Sequence, residues 1–392
     1  KALNYDKDNG VFGIQFYVRD IKNNSWTILK NVKRNYANFD LRFTEKFLIE
    51  NLPEKSNSRF TLTPAVIANY QKDVANNSEQ TSFKPSLDLQ YNVTSSLKLD
   101  ATINPDFSQI DVDQQVTNLT RFAVNFPEQR NFFLENADLF SNLGVTGVNP
   151  FYSRRIGASS DIQFGLKLSG NISKKTRIGI LNVQTEENDN VASQNYGTLV
   201  AEHQLSENFT TTGYLVNRQE TSGFNFGNDY NRVAGLNVNY KSNNNKWTGL
   251  LNYSKSFNDG ISGDNDFFNG SIYFNKRGFN FNTSFRKLSK NYITDVGFTP
   301  RLYNYDAINS VTVREGYLQT SSGIEYKKFY EKSKTLNSVR FLRYGLNNYF
   351  DESGEITQSQ HSLNSAVFFK DLSAVYFVIN YDYVDLKYGF DP

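Results

Sequence analysis

Alternation of apolar and polar residues at every second position is the feature of this sequence that most constrains its fold. In the stretch GFNFNTSFRK (278–287), Phe279, Phe281 and Phe285 occupy one set of positions, and asparagine, serine and arginine occupy the other. Successive side chains of a β-strand point to opposite faces, so a pattern that repeats every two residues indicates a strand. The same pattern recurs at 160–170 and 230–240. The sequence therefore predicts an all-β fold.

Strand and connection lengths favour a membrane barrel over a soluble sandwich. The predicted strands are 59–70, 83–93, 97–104, 160–170, 175–185, 196–205, 208–218, 230–240, 246–256, 267–275 and 279–288. Most have about ten residues, the length of a tilted transmembrane strand, whereas strands of soluble sheets have about five or six. Short connections alternate with longer polar ones at 186–195, 219–229 and 257–266. We expect a transmembrane antiparallel β-barrel of about 14–18 strands, with a large soluble β protein as the alternative.

Composition agrees with a barrel and argues against several classes of function. Aromatic residues make up 15% of the chain while mean hydropathy is −0.56, as expected when one face of each strand contacts lipid and the other contacts water. The 42 basic and 40 acidic residues produce no bulk field for nucleic acid. Cysteine is absent, and the two histidines, His203 and His361, are too few to indicate a histidine-based metal centre, so no cofactor is expected. The aromatic residues expected in lipid-facing girdles are Tyr240, Trp247, Tyr253 and Tyr273.

The first 55 residues are predicted to be a separate unit. The stretches VFGIQFYVRD, SWTILK and YANFDLRFT indicate two or three strands, which we interpret as the tail of a β-sandwich module. Residues 56–392 are assigned to the barrel. Short turns of such barrels face the periplasm, which places residues 1–55 in the periplasm and the long connections outside the cell. The chain ends at KYGFDP in a strand-like run, so we expect a closed barrel to use strands beyond it.

Residues 95–157 carry a long, ordered set of motifs. They are SSLKLDATINPDFSQIDVD, NLTRFAVNFPEQRNFFLENADLF and PFYSRRIG. This run resembles a family of outer-membrane barrels of unestablished role that is common in Bacteroidota. The resemblance implies a Gram-negative outer-membrane location and a carbohydrate-binding family 9-like module before the barrel. The sequence departs from the family at Asn125, where a second aromatic is common, and at Asn136, where glycine is common.

The connection 105–160 is too long for an idle loop. Its mixture of aromatic and charged residues predicts a segment folded into the barrel lumen or over its mouth. The phenylalanines are expected to pack on one another, and Glu128 and Glu135 are expected to pair with arginines through charge-assisted hydrogen bonds. The residues of this predicted structural clasp are Arg121, Phe126, Glu128, Arg130, Phe132, Phe133, Glu135, Phe140, Arg154 and Arg155.

Two other interpretations of the same connection are weaker. Glu128 and Glu135, or Asp106 and Asp111, could form the carboxylate pair of a glycosidase. Nearby arginines would keep these carboxylates ionised, which suits ion pairs better than a general acid. Asp106, Asp111 and Asp113 are candidate calcium ligands, but their spacing does not match the EF-hand loop. We therefore predict a structural segment without a catalytic or metal site.

These observations lead to three functional hypotheses. The leading one is a binding or scaffold subunit of an envelope complex for export, outer-membrane assembly or glycan handling. The alternatives are a channel or transporter for oligosaccharides or similar solutes, and a surface glycan hydrolase. The expected partners are outer-membrane lipid, other envelope proteins and, from the resemblance, glycan, but not nucleic acid. A transporter should release the segment 105–160 from the lumen, whereas a scaffold should keep it fixed.

The expected orientation can be tested with single cysteines, because the chain has none of its own. Asn188→Cys lies in a long connection and should react with a membrane-impermeant maleimide in intact cells. Ser173→Cys lies in a short turn and should react only after the outer membrane is opened. The opposite labelling pattern would reject this topology.

Overall fold

The computed structural model describes residues 10–20, 25–30, 32, 43–50, 59–73, 78–105, 116–117, 124–222, 225–385 and 387–389. The strands are β1 (Val11–Ile14), β2 (Tyr17–Asp20), β3 (Ser25–Ile28), β4 (Glu45–Leu48), β5 (Phe60–Asp73), β6 (Ser78–Asn92), β7 (Leu97–Ile103), β8 (Ile162–Asn171), β9 (Thr176–Thr185), β10 (Ser193–Gln204), β11 (Phe209–Ser222), β12 (Asn225–Lys241), β13 (Trp247–Asn258), β14 (Asp266–Lys276), β15 (Phe279–Leu288), β16 (Tyr303–Asp306), β17 (Val311–Arg314), β18 (Tyr317–Phe329), β19 (Leu336–Phe350), β20 (Ile356–Phe369) and β21 (Ala374–Val384). The helices are α1 (Asn131–Leu134) and α2 (Ala137–Ser141), with 3-10 turns at Ser153–Arg155 and Pro300–Leu302. Within the described ranges, no helix is long and apolar enough to cross a membrane.

One antiparallel sheet of 15 strands dominates the chain. Its strands follow chain order from β5 to β21, except that β15 pairs directly with β18. The hairpin of β16 and β17 lies in the connection between them. In the part of the chain that the structure describes, no ladder joins β5 to β21. The all-β antiparallel fold is thus confirmed, and closure into a barrel stays a prediction.

Each predicted strand of the sheet has a counterpart, but one predicted loop is wrong. The stretch 219–229 is mostly strand, because β11 runs to Ser222 and β12 begins at Asn225. Its polar residues are paired across the ladder. The Arg218 guanidinium is 2.5 Å from the Asp229 carboxylate, and Gln219 donates to the Gly227 carbonyl at 2.7 Å. The hydrophilic composition therefore marks the polar ends of two long strands.

The described residues among the first 50 form four short strands, where two or three are expected from the sequence, and most of the stretch YANFDLRFT lies outside the described residues. β1 pairs with β4, and β2 pairs with β3. Each strand has four residues, and side chains such as Val18 and Leu48 are exposed. Two-stranded ribbons of this size bury too little apolar area to be stable alone. Assignment of this region to a sandwich module stays a prediction.

The large sheet buries many polar residues on one face, beside the apolar residues of the core, and exposes large apolar residues on the other face. On β13, Asn252 and Ser254 are 1% and 0% exposed, whereas Leu251 and Tyr253 are 54% and 49% exposed. On β8, Lys167 is buried. We call the buried side the inner face and the opposite side the outer face. This arrangement is the reverse of a water-facing sheet over an apolar core.

The register corrects one of the predicted girdle residues. Tyr240, Trp247 and Tyr253 lie on the outer face, as expected for lipid-facing aromatics. Tyr273 is four positions from buried Asn269 on the same strand and therefore shares its inner face. Apolar character alone does not report side-chain direction where the alternation is interrupted, as it is in the run SIYF of β14.

Two connections fold back against the inner face. Residues 124–160, here called the clasp segment, join β7 to β8, and residues 289–316, here called the second insertion, join β15 to β18. The hydrophobic core lies between them and the sheet. Its buried members include Phe133, Leu139, Phe140, Leu143, Val148, Phe151, Ile156, Leu181, Val183, Val216, Val233, Phe267, Leu288, Tyr292, Val296 and Leu302.

Two glycines of the sheet make room for phenylalanines of the clasp segment. A Cβ at Gly165 would be 2.9 Å from the Phe132 ring, and a Cβ at Gly179 would be 2.7 Å from the Phe140 ring. Real Cβ atoms do not approach neighbours that closely. Each ring is therefore fitted against bare backbone on the inner face.

Gly179→Val should displace Phe140 and lower stability by about 1–3 kcal/mol, the usual cost of overpacking a filled core. Thermal unfolding in detergent measures this effect. Gly197→Val on β10 is the matched control, because the nearest atoms to its added Cβ are 3.9 Å away. Equal melting temperatures for the two variants would contradict the proposed fit of Phe140.

Candidate functional site

The clasp segment begins with an ion pair between two residues close in sequence. Arg130 donates from Nε to Glu128 Oε1 at 2.9 Å and from Nη2 to Oε2 at 2.7 Å. The backbone N–H groups of Gln129 and Arg130 also donate to Oε1, each at 2.9 Å. The carboxylate thus accepts four hydrogen bonds. Both side chains of the pair are largely buried.

Arg130 also ties the two ends of the clasp segment together. Its Nη1 donates to the Ile156 carbonyl and its Nη2 to the Ser153 carbonyl, both at 2.6 Å. Its guanidinium lies 4.3 Å from the centre of the Phe133 ring. A planar guanidinium can donate hydrogen bonds to a carboxylate and to carbonyls while it stacks on an aromatic ring, which the ammonium group of a lysine cannot do. Arg130 is therefore the residue that closes the segment on itself.

The surroundings of Glu128 favour its ionised form. Burial alone would raise the pKa of this carboxyl, but the hydrogen bonds and positive charge of Arg130 outweigh burial and hold the pKa below its ordinary value. A carboxyl with a lowered folded-state pKa stabilises the fold at pH values above its unfolded pKa. That contribution is lost as the pH falls through the folded-state pKa. Glu128 is thus suited to an ion pair and unsuited to acid catalysis at neutral pH.

A second set of bonds joins the clasp segment to the second insertion. The Tyr152 hydroxyl donates to the Phe126 carbonyl at 2.9 Å and accepts from the Phe126 N–H at 3.0 Å. The Tyr152 N–H donates to the Val296 carbonyl at 2.7 Å. Asn149 and Phe298 form an antiparallel bridge. The two inserted connections therefore pack as one layer.

The ion-pair partner of Glu135 is a lysine of the large sheet, which corrects the expectation of an arginine. Lys98 on β7 places its Nζ 2.5 Å from Glu135 Oε2. The next residue, Asn136, has a φ of 51° and donates to the Ser169 hydroxyl at 3.0 Å. The left-handed backbone explains why a glycine suits this position and why asparagine is tolerated there. These contacts direct Glu135 towards β7 and away from the arginines of its own segment.

A buried group of charges lies beneath α1. Lys167 donates to the backbone carbonyls of Phe132 and, at 3.2 Å, of Glu135. Asp100 lies 3.5 Å from Lys167 Nζ and 3.4 Å from Lys98 Nζ. The two lysines and two acids have no net charge, which lowers the cost of burying them. Site prediction from sequence missed Lys98, Asp100 and Lys167, although the alternation already placed Lys167 among the polar residues of its strand.

Phe133 and Phe140 belong to the same buried hydrophobic core and Phe132 packs against it, although their rings make separate pairwise contacts. Phe132 and Phe133 meet edge to face with ring centres 5.0 Å apart, whereas Phe140 packs near Phe151 at 5.9 Å. Phe132 lies against Gly165 of the sheet and Phe140 against Gly179, whereas Phe133 stacks on the guanidinium of Arg130. Phe126 contacts Tyr152 through its backbone.

The remaining predicted residues are less closely engaged or lie elsewhere. Arg155 is exposed, with Nε 3.4 Å from the Gly297 carbonyl, and Arg154 is half-buried in the same 3-10 turn. Arg121 and the calcium candidates Asp106, Asp111 and Asp113 lie outside the described residues. The described ranges contain no group of three or more histidine, cysteine or acidic residues arranged to hold a metal ion.

Comparison with known proteins gives a partial family match. Residues 56–171, which include the clasp segment, match the family described as "Domain of unknown function (DUF5916)". The crystal structure of Acinetobacter baumannii OccAB4 aligns with 82% of this chain and 91% of that chain, at 12% identity and a TM-score of 0.32. A structural likeness this low carries no argument about function. No curated protein matches the chain. The results fit a family of unestablished function, and the carbohydrate-binding module stays a prediction.

Arg130→Ala should open the clasp segment, because it leaves Glu128 buried without its ion-pair partner and frees two carbonyls. Removing one partner of a buried ion pair costs about 3–5 kcal/mol. The measurement is the rate of chymotrypsin cleavage at the phenylalanines of the segment. Arg277→Ala is the control, because its ion pair with Glu331 is exposed and worth about 0–1 kcal/mol. A cleavage rate for Arg130→Ala equal to that of Arg277→Ala would show that Arg130 does not close the segment.

Proposed function

We propose that this chain forms the wall of an outer-membrane β-barrel with the clasp segment as a fixed internal plug, and that it acts as a binding or scaffold subunit of an envelope complex. The observation that carries the proposal is the reversed polarity of the large sheet. Its exposed outer-face residues include Leu166, Ile180, Leu199, Leu215, Leu236, Trp247, Leu251, Tyr253, Ile272 and Phe285. In water, an apolar surface of this extent would promote association, whereas lipid tails would solvate it.

The backbone of the sheet also suits hydrocarbon surroundings. A strand in lipid must satisfy its N–H and C=O groups within the protein, and the inner strands of this sheet pair on both sides. The two edge strands, β5 and β21, need partners in the same environment. Pairing of these edges with each other or with further strands would close the barrel. Side chains of β21 such as Val375, Phe377 and Tyr381 are exposed, in agreement with an edge that is completed in the membrane.

Contacts along the depth of the sheet support a plug that stays in place. Near the short-turn end, Asp138 pairs with Arg177 at 2.7 Å, close to the pairs that Glu135 and Asn136 make with the wall. At mid-depth, Asn237 and Asn252 both donate to the Leu143 carbonyl, at 3.1 and 3.0 Å. A transporter that expels its plug would have to break all these bonds together. A fixed segment is what a scaffold or binding subunit requires.

The same contacts argue against a glycan hydrolase that uses these glutamates. Both oxygens of Glu128 accept hydrogen bonds from Arg130, and Glu135 is held by Lys98. A general acid of a glycosidase needs a raised pKa and access to the glycosidic oxygen. The Glu128 carboxyl has the opposite shift, and its oxygens are already occupied.

Lipid contact can be measured with spin labels at single cysteines in proteoliposomes. Labels at Leu199→Cys, Leu236→Cys and Leu251→Cys should collide more often with oxygen, which concentrates in lipid, than with a water-soluble nickel chelate. Asn188→Cys in the connection between β9 and β10 is the control and should show the reverse. Preference for the nickel chelate at all four positions would refute the membrane-embedded sheet.

A further inference from the structure

A polar groove remains on the inner face where the clasp segment does not reach. Its volume is about 760 Å³, within the range of pockets that hold small organic ligands. Every residue that lines it lies on β15, β18, β19, β20 or β21. The second insertion covers only the far end of these strands, where Arg301 donates to Gln358 at 2.7 Å. The groove therefore runs beside the plugged part of the sheet.

The register shows which side chains point into the groove. Leu288 and Tyr317 are buried, face the second insertion and form a cross-strand pair, so they mark the inner face on β15 and β18. Alternation then places amide side chains on that same face. The inward-facing amides of the groove are Asn280, Asn282, Asn347, Gln360, Asn364 and Asn380. Gly345 leaves open space over its backbone, because an added Cβ there would meet no atom within 4 Å, whereas the Asn282 amide lies over Gly323.

The amides are oriented by bonds to one another. Gln319 donates to Asn347 Oδ1 at 2.8 Å, and Asn347 donates to Gln360 Oε1 at 3.0 Å. A primary amide offers two donor and two acceptor sites, so each bond in this row leaves further sites for a ligand. Alternating neutral donors and acceptors on neighbouring strands match the hydroxyl groups of a polyol or sugar.

The groove has no excess of positive charge. Its ionised lining residues are Glu325, Asp382 and Arg343, and Asp382 stands across the ladder from Gln360. Glu325 pairs at 3.2 Å with Arg340, which lies beside the groove, and is 3.9 Å from Arg343. No net positive charge is therefore present to attract an anion, and neutral hydrogen-bonding solutes are favoured over anions.

We infer that this groove binds uncharged polyhydroxylated solutes of about disaccharide size and lets them pass beside the fixed clasp segment. This inference rests on the proposed membrane barrel and adds a solute class and a route to it. It requires no movement of the clasp segment, so it agrees with a fixed plug. A gated transporter, by contrast, would have to move this segment.

The test is swelling of proteoliposomes in maltose and in maltobionate, which is similar in size and carries a carboxylate. Maltose should enter at least about fivefold faster than maltobionate, because the groove offers neutral hydrogen-bonding groups without a net positive charge. Gly345→Trp should slow maltose at least about fivefold, since an added Cβ at this inner-face position meets no atom within 4 Å and the indole can extend into the groove. Gly213→Trp is the matched control, because its Cβ is equally unobstructed but lies on the outer face, and its rate should equal that of the parent.

A second variant protects the test against misfolding of Gly345→Trp. Asn347→Leu keeps the side-chain size, removes both bonds of the amide row and should slow maltose at least about threefold. Equal rates for the parent, Gly345→Trp and Asn347→Leu would overturn the inference, as would equal rates for maltose and maltobionate. Spin labels on the outer face are read in the same vesicles. If they report lipid and maltose does not enter, only this inference fails; if they report water, the proposed barrel fails with it.

Discussion

A sheet that buries many polar side chains cannot be stabilised by apolar burial alone, and the rest of this structure depends on that constraint. Lys167, Asn237, Asn252 and Ser254 are all buried on the inner face and need hydrogen-bond partners. The two inserted connections supply many of these partners. Leu143 offers its carbonyl to two asparagines, and Tyr292 places its hydroxyl 2.8 Å from Ser254. The two inserted connections are therefore part of the folded core of the protein.

Charge in this core is arranged in compensated groups. Glu128 is matched by Arg130, and the two lysines beneath α1 are matched by Asp100 and Glu135. Isolated charges in such a setting would each cost several kcal/mol. Arg130 adds a topological role, because it joins residues more than twenty positions apart through backbone carbonyls. Arg130 therefore stabilises the shape of the clasp segment through bonds within the segment, in addition to the segment's contacts with the sheet.

The inner face is divided into two unequal environments. Along β8 to β14 it is covered by the insertions and contributes apolar residues such as Val183, Val216 and Val233 to a packed core. Along β15 and β18–β21 it is lined by amides and compensated charges around an open groove. The difference follows side-chain type, since buried apolar residues exclude water whereas exposed amides bind it. A covered, packed region and an open polar groove therefore lie side by side on one face of the sheet.

The sequence by itself determined the strands and the unusual character of the segment between β7 and β8. Period-two alternation is a local property of the chain, so it located the strands from β5 to β15 and separated the phenylalanines of β15 from its asparagines. It also identified Glu128 and Arg130, which are neighbours in sequence. Tertiary structure decided that Glu135 meets Lys98, that Phe132 and Phe140 fit against Gly165 and Gly179, and that Tyr273 points inward. These contacts join residues that are far apart in the chain and depend on the path of a long connection across the sheet, which the periodicity of a single strand does not specify.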